Sequence, residues 1–372
     1  MRLTMRSELV VLGIIACNVR GRGLEPVSGQ PGNRATPNVD AVEPAARPTG
    51  EMRILVAYDM EGMAGQADWH FNESIFAEQY RRGRELLVAD VNAVVTGLFA
   101  GGASSVDVVD LHGSGNPESD LPIERLDQHA RLISRPVAFD PVSELPAAGA
   151  YDAVVLVAMH GRTGGGGFES HTRFPGQRVR LNGRSITETE LVAYSWGRFR
   201  IPVILVTGDD RLRDELGAMQ WVEYVVVKIS TGPVTTTPRA VSVVHQEMLE
   251  AAKRAIHNRD AARALRVREP VHVGMTADPP LSVEMIKQIP NVRSTGDTVE
   301  FTAPDFLGAY EGVKAIGQAI DAKYVAAILD RIASDPRGKD LVRDYTDTVL
   351  TSVMLGRPFP TRPRPSRYYG YQ

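Results

Sequence analysis

The chain has 372 residues, 43% hydrophobic and 23% charged, with 42 basic against 45 acidic side chains. That length accommodates one large domain or two ordinary ones around a sizeable core. The near-balanced charge of −3 leaves no global positive field to recruit phosphates, which argues against nucleic acid as a partner, and no apolar run reaches the roughly 18–20 residues that span a bilayer.

From the start, two arginines precede an apolar stretch over residues 9–16 and then Cys17. A basic segment followed by a short apolar one reads as a secretory signal. Ile14-Ile15-Ala16-Cys17 resembles a bacterial lipobox, in which the cysteine is lipidated and becomes the mature N-terminus. The expectation is an exported chain, periplasmic or anchored to a membrane through Cys17, or a cytoplasmic one if the segment is not a signal. Cys17 is the sole cysteine, which excludes an internal disulfide. Residues 18–51 carry many Gly, Pro, Asn and Arg without apolar periodicity and read as a disordered linker.

From residue 53 the pattern alternates between strand and helix. An apolar run over 53–58 ends in Asp59. Over 77–100, Leu87, Val91, Val94, Val95 and Leu98 recur at helical spacing and stop at Gly101-Gly102. A second strand over 105–109 runs into Asp110-Leu111-His112, and a third over 152–158 reaches Met159-His160. A helix over 188–196 precedes a fourth strand, 202–206, which runs into Gly208-Asp209-Asp210; these aspartates suit a helix N-cap. A fifth strand over 224–227 ends at Lys228, and a helix over about 238–258 follows. Such alternation predicts an α/β fold over 52–267, a mostly parallel sheet covered by helices. From 268 to 350 strands at 271–275 and 298–302 and helices at 282–288 and 305–319 predict a smaller C-terminal α+β domain, and 351–372 form a Pro/Arg/Tyr-rich tail.

Three successive strands end in groups that bind divalent metals: Asp59 and Glu61, then His112, then His160. Ligands of open parallel sheets gather at the carboxyl ends of the strands, and carboxylate with imidazole is a donor set that zinc and similar ions prefer. Each residue alone has a plainer explanation. A single histidine after a strand is commonly a hydrogen-bonded loop residue, and Asp59-Met60-Glu61-Gly62 can be a turn in which Gly62 supplies a positive φ. The coincidence on successive strands is what favours a metal site. Gly164 to Gly167 lack the Lys-Ser/Thr of a phosphate-binding loop and suit a mobile flap; His171 beyond them can shuttle protons near neutral pH.

The Asp59-Met60-Glu61-Gly62 run resembles the N-terminal signature of the DppA-type zinc D-aminopeptidases. The likeness continues in order through Tyr80 to Arg84, Asp110-Leu111-His112, Ala158-Met159-His160, Ser170-His171, Arg184 to Glu188, Gly208-Asp209-Asp210 and Val227-Lys228, and more weakly to Phe301–Asp305 and Ala309-Tyr310. The resemblance implies a homo-oligomeric zinc aminopeptidase acting on short peptides, plausibly with N-terminal D-amino acids. It implies two zinc ions held by Asp59, Glu61, His112, His160 and Glu188, Asp59 bridging, with His171 as the catalytic histidine, either acid/base or nucleophile. Thr187 stands where the family usually has glycine, and Glu190 lies two residues beyond Glu188 as a second acidic candidate. The alternative is an exported lipoprotein of the same fold that captures peptides or metal without turnover; loss of a ligand or of the histidine would favour it, and none is missing.

Overall fold

The computed structural model describes residues 39–45, 50–116, 118–144, 151–173, 175–277, 292–295, 298–355 and 367–370. The signal and lipobox-like segment with Cys17, most of the expected linker, and the expected helix over 282–288 lie outside them. Within the linker stretch, β1 (Val39–Val42) pairs with a strand far downstream. The chain then enters β2 (Arg53–Tyr58), α1 (Ala77–Ala100), β3 (Ser105–Asp110), β4 (Ala130–Leu132) and β5 (Ala153–Met159). After β6 (Gln177–Leu181) and β7 (Arg184–Ser185) come α2 (Glu188–Gly197), β8 (Val203–Asp209), α3 (Asp210–Glu215), β9 (Glu223–Gly232) and β10 (Thr235–Pro238). The remaining elements are α4 (Val241–His257), β11 (Ala264–Val267), β12 (Val271–Ala277), β13 (Arg293–Thr295), β14 (Thr298–Ala303), α5 (Phe306–Ser334) and α6 (Pro336–Met354).

Seven strands form the main sheet in the order β10-β9-β8-β5-β2-β3-β4, parallel except for β10. Strands β5 and β8 are buried along their whole length, as the continuous apolar runs of a doubly covered sheet require. One face packs Leu87, Val91, Val94, Val95 and Leu98 of α1 with Val244, Met248 and Ala252 of α4. Gly97 permits that helix pair to close: a Cβ there would lie 2.3 Å from the Leu249 carbonyl oxygen. The other face packs α2 and α5. The chain runs outward from β2 through β3 and β4, then returns to the opposite side of β2 with β5 and continues to β8 and β9. This reversal opens a crevice at the carboxyl ends of β2, β3 and β5.

A second sheet, β13-β14-β12-β6-β7, is antiparallel. It joins β6 and β7, which lie between β5 and α2 in the chain, to strands beyond residue 268. The expected C-terminal α+β unit therefore shares its sheet with residues 177–185. Nothing in the short alternation Gln-Arg-Val-Arg-Leu at 177–181, buried at every second position, announces its distant partner. The C-terminal stretch also folds back. Tyr368 pairs with Arg135 and Gly370 with Asp110, so the segment wedges between the diverging ends of β3 and β4. Asp110 N–H donates to the Tyr369 carbonyl at 3.1 Å. No helix among the described residues is long and apolar enough to cross a membrane.

Candidate metal centre

The turn after β2 carries Asp59 and Glu61 into the crevice. It is stitched to the end of β5 by Asp59 N–H to Val157 O at 2.9 Å and Gly62 N–H to Ala158 O at 2.8 Å. Gly62 is required here for close approach and not for a positive φ. Its backbone is outside the left-handed region, yet a Cβ would sit 2.0 Å from the Met159 carbonyl oxygen. Ala158, one residue before Met159-His160, adopts φ 60°, a conformation costing a non-glycine residue on the order of 1 kcal/mol. It turns the strand end so that His160 enters the crevice.

Asp59, Glu61, His112, His160, His171 and Glu188 converge there. Asp59 Oδ1 lies 2.9 Å from His112 Nδ1 and Asp59 Oδ2 lies 3.4 Å from His160 Nε2. Glu61 reaches His112 Nδ1 at 3.4 Å and His171 Nε2 at 3.9 Å. Glu188 reaches His160 Nε2 at 3.7 Å and His171 Nε2 at 3.8 Å. The donor atoms fall into compact triads, Asp59/Glu61/His112 and Asp59/His160/Glu188, with Glu61/His160/His171 as a third grouping. Asp59 belongs to the first two, one oxygen facing each.

Three outer hydrogen bonds set the ring orientations. His112 Nε2 faces the Asn72 carbonyl at 3.1 Å, His160 Nδ1 the Gly161 carbonyl at 2.9 Å, and His171 Nδ1 the Glu169 carbonyl at 2.7 Å. A carbonyl only accepts, so each of these nitrogens carries a proton, and the other nitrogen of each ring faces the carboxylates. This is the arrangement by which proteins orient metal-binding imidazoles. His160 Nε2 is buried without a hydrogen-bond partner, 3.4 Å from Asp59 and 3.7 Å from Glu188. The rings of His160 and His171 stack 4.0 Å apart at 14°.

The electrostatics demand positive charge. Burial disfavours charge on His112 and His160, yet the carboxylates of Glu61, Asp59 and Glu188 outweigh it and hold both rings well above the usual imidazole value. Burial likewise opposes charge on Glu61, but His112 and His160 hold that carboxyl well below its ordinary range. A buried site that draws protons this strongly also attracts divalent cations, and its oxygen and imidazole donors suit zinc.

The neighbouring acidic residues have other tasks. Thr187 is the N-cap of α2, and Glu190 closes a capping box, accepting from Thr187 N–H at 3.0 Å while Arg184 Nη1 donates to it at 2.5 Å. Glu190 is fully committed to the helix start, whereas Glu188 faces the histidines. Asp209 caps α3 by accepting from Leu212 N–H at 2.7 Å. The glycine run before His171 is clasped, which differs from the expected mobile flap. Arg162 N–H donates to Glu215 at 2.8 Å, and Phe168 N–H donates to Ser230 Oγ at 2.8 Å. A Cβ at Gly165 would fall 1.8 Å from the Glu215 carboxylate, and Gly164 and Gly166 have φ of 78° and 80°. Gly165 thus lets the backbone close on the Glu215 carboxylate, and Gly164 and Gly166 supply the left-handed turns on either side of it.

Sequence reasoning assigned no role to Asn72, Gln66 or Glu169, and marked Lys228 only as the end of the fifth strand and as part of the resemblance. Lys228 is fully buried, and burial brings its ammonium down to about 8 against the opposing pull of Glu169 and Asp209. A buried lysine at the end of an apolar strand was the one available signal.

A crevice at a strand-order reversal, lined by three carboxylates and three oriented imidazoles, defines a metallohydrolase type of site. The comparisons carry this to a family. The D-aminopeptidase family model matches residues 52–315, and the chain belongs to that family; it is a metallopeptidase. It is 27% identical over 273 residues to a D-aminopeptidase of Bacillus subtilis (strain 168), covering 70% of this chain and 95% of the relative. The fold resembles that of the Zn-dependent D-aminopeptidase DppA from Bacillus subtilis, described as a self-compartmentalizing protease. The TM-score is 0.65 and the identity 24%, over 72% of this chain and 98% of that one.

Proposed function

We propose that this chain is a zinc aminopeptidase that removes N-terminal D-amino acids from short peptides, with Asp59, Glu61, His112, His160 and Glu188 holding two ions and His171 as its catalytic histidine. The carrying observation is that Asp59 is shared by two triads, one oxygen facing each. A bound pair of divalent ions supplies Lewis acidity toward the scissile carbonyl and the attacking water.

The chain's own residues do the rest. Asp59 sets the separation of the half-sites. The Asn72 and Gly161 carbonyls hold the imidazoles of His112 and His160 in the tautomers that face inward. His171, with Nδ1 fixed on the Glu169 carbonyl, keeps Nε2 free to take a proton from the attacking water and return it to the departing amine. The carboxylates of Glu61 and Glu188, each within 4 Å of His171 Nε2, stabilise the imidazolium formed between those transfers. A free amine at the substrate N-terminus needs an acidic or metal anchor, and the same cluster supplies one.

Purified protein with zinc is expected to release D-Ala from D-Ala-D-Ala and from D-Ala-p-nitroanilide. Replacement His171→Ala should lower kcat by at least 10²-fold, the usual contribution of a positioned acid/base, while leaving bound zinc at the wild-type content. Full activity in that variant would remove His171 from the mechanism. Zinc binding without turnover of any D- or L-aminoacyl substrate would support instead a peptide- or metal-capturing protein. We propose further that the chain assembles as a homo-oligomer, a reading supported by its likeness to a protease described as self-compartmentalizing, and that it is exported and tethered through Cys17. Cys17→Ser should then move the protein from the membrane to the soluble fraction.

A further inference from the structure

Behind the metal centre lies a set of polar side chains that no step above employs. Gln66, Asn72 and Lys228 are all at most 1% exposed, in a region where apolar side chains would avoid the cost of desolvation. Lys228 Nζ donates to Gln66 Oε1 at 2.6 Å and also to the carbonyl oxygen of Glu61. Gln66 Nε2 donates to Asn72 Oδ1 at 2.6 Å, and Asn72 Nδ2 donates to Glu169 Oε2 at 2.6 Å. The Lys228 ammonium also stands 4.3 Å from the centre of the Phe168 ring, a favourable place for a desolvated cation.

The direction of this chain is fixed from its Lys228 end. An ammonium only donates, so Gln66 must turn its oxygen to Lys228 and its amide nitrogen to Asn72. Because Gln66 Nε2 donates to it, Asn72 must turn its oxygen to Gln66 and its amide nitrogen to Glu169. Neither amide can flip without facing donor to donor or acceptor to acceptor.

Three of the four residues each touch a group of the metal centre, and Gln66 links them. Lys228 holds the main chain of Glu61, the Asn72 carbonyl holds His112, and the Glu169 carbonyl holds His171. We infer that Lys228, Gln66, Asn72 and Glu169 are positioning residues that act as one directional brace, setting Glu61, His112 and His171 relative to one another across strands β9, β2 and β3. The inference rests on the metal-site reading proposed above. It assigns the brace two effects: the affinity of the Glu61/His112 half-site, and the approach of His171 Nε2 to the reacting atoms.

The test uses the full chain carrying Gln66→Leu, Lys228→Met, Glu169→Ala and Glu169→Gln, each loaded with Co(II) or zinc. Metal affinity is read by competition with a chromophoric chelator, the coordination geometry by the visible Co(II) spectrum, and folding by thermal melting of the metal-free protein. Breaking the brace in Gln66→Leu or Glu169→Ala should weaken metal binding by about 10- to 100-fold, alter the Co(II) spectrum and lower kcat with KM nearly unchanged. Glu169→Gln keeps an acceptor oxygen for Asn72 and should restore most of the affinity lost in Glu169→Ala. If Lys228→Met does not fold, the Gln66 and Glu169 variants decide. Native affinity, native spectrum and native kcat in folded variants that merely melt lower would overturn the brace. Failure of the wild-type chain itself to bind metal would instead overturn the metal-site reading and the brace with it.

Discussion

Gly62→Ala tests the site where its geometry has least slack. An added Cβ would lie 2.0 Å from the Met159 carbonyl oxygen, 2.6 Å from the Ala158 carbonyl carbon and 2.8 Å from the Ala158 oxygen. All three obstacles are backbone, so no rotamer change relieves them. Reaching an ordinary contact near 3.4 Å requires the turn and the strand end to separate by about 1.4 Å, the difference between 3.4 and 2.0. That turn carries Asp59 and Glu61, and the strand end carries His160, only 3.4 Å from Asp59. A displacement of about 1 Å in a catalytic constellation costs on the order of 10²-fold in rate, and overpacking of this kind costs about 1–3 kcal/mol in stability. The variant should therefore lose at least 10²-fold in kcat/KM and 10- to 100-fold in zinc affinity, read by peptidase assay and chelator competition on protein shown to be folded. Gly197→Ala is the control. Its Cβ would meet the Leu265 carbonyl oxygen at 1.7 Å, between α2 and β11, so it should destabilise the protein while its folded fraction keeps wild-type zinc affinity. Wild-type zinc affinity and turnover in Gly62→Ala would refute the reasoning.

Glu188→Gln should weaken zinc binding by at least 10-fold, whereas Glu190→Ala should leave it intact and cost about 1–3 kcal/mol through loss of the α2 capping box and of the Arg184 partner; equal zinc loss in both would contradict the division of labour between them. Ending the chain at residue 355 removes the wedge formed by Tyr368 and Gly370, and hydrogen exchange should then show the Asp110 and Arg135 amides unprotected; retained protection would mean the segment contributes nothing to that sheet edge. Burial raises the Asp90 carboxyl above its ordinary value, against hydrogen bonds from His245 and the Ala64 amide that pull it down. The folded protein therefore holds this proton at a pH where the unfolded chain has released it, and the associated stabilisation is complete below the unfolded value and lost as pH rises through the folded one. Urea midpoints of metal-free wild type, relative to Asp90→Asn, should fall with rising pH above the ordinary carboxylate range; a difference that grows instead would exclude this linkage.

The parallel sheet was legible because its strands are apolar on both faces and separated by amphipathic or capped helices. The exits of β2, β3 and β5 made Asp59, Glu61, His112 and His160 neighbours by topology alone. Glu188 and His171 were not legible in that way. Glu188 opens a helix and His171 follows an irregular loop, so neither position is set by strand alternation; Glu188 entered through the family resemblance, and His171 was first marked only by its chemistry beyond the glycine run. The antiparallel sheet was partly hidden because Gln177–Leu181 must find Val271–Ala277, a pairing with no local mark. The brace was hidden for the same reason: Lys228 and Gln66 meet across 162 residues.

The two glutamates at the start of α2 show where a resemblance needs chemistry to complete it. Glu188 and Glu190 are both acidic, both in the first turn and both beside Arg184 in sequence, so spacing alone leaves either to face the crevice. The residue that separates them is Thr187, where the family resemblance leads one to expect a glycine. A threonine N-cap accepts from the amide three residues on, and the side chain at that third position reaches back to the cap amide. Thr187 and Glu190 make this reciprocal pair, which turns Glu190 away from the histidines and leaves Glu188 as the helix's acidic contribution to the crevice. The substitution that seemed to weaken the assignment of Glu188 thus supplies the physical reason for it.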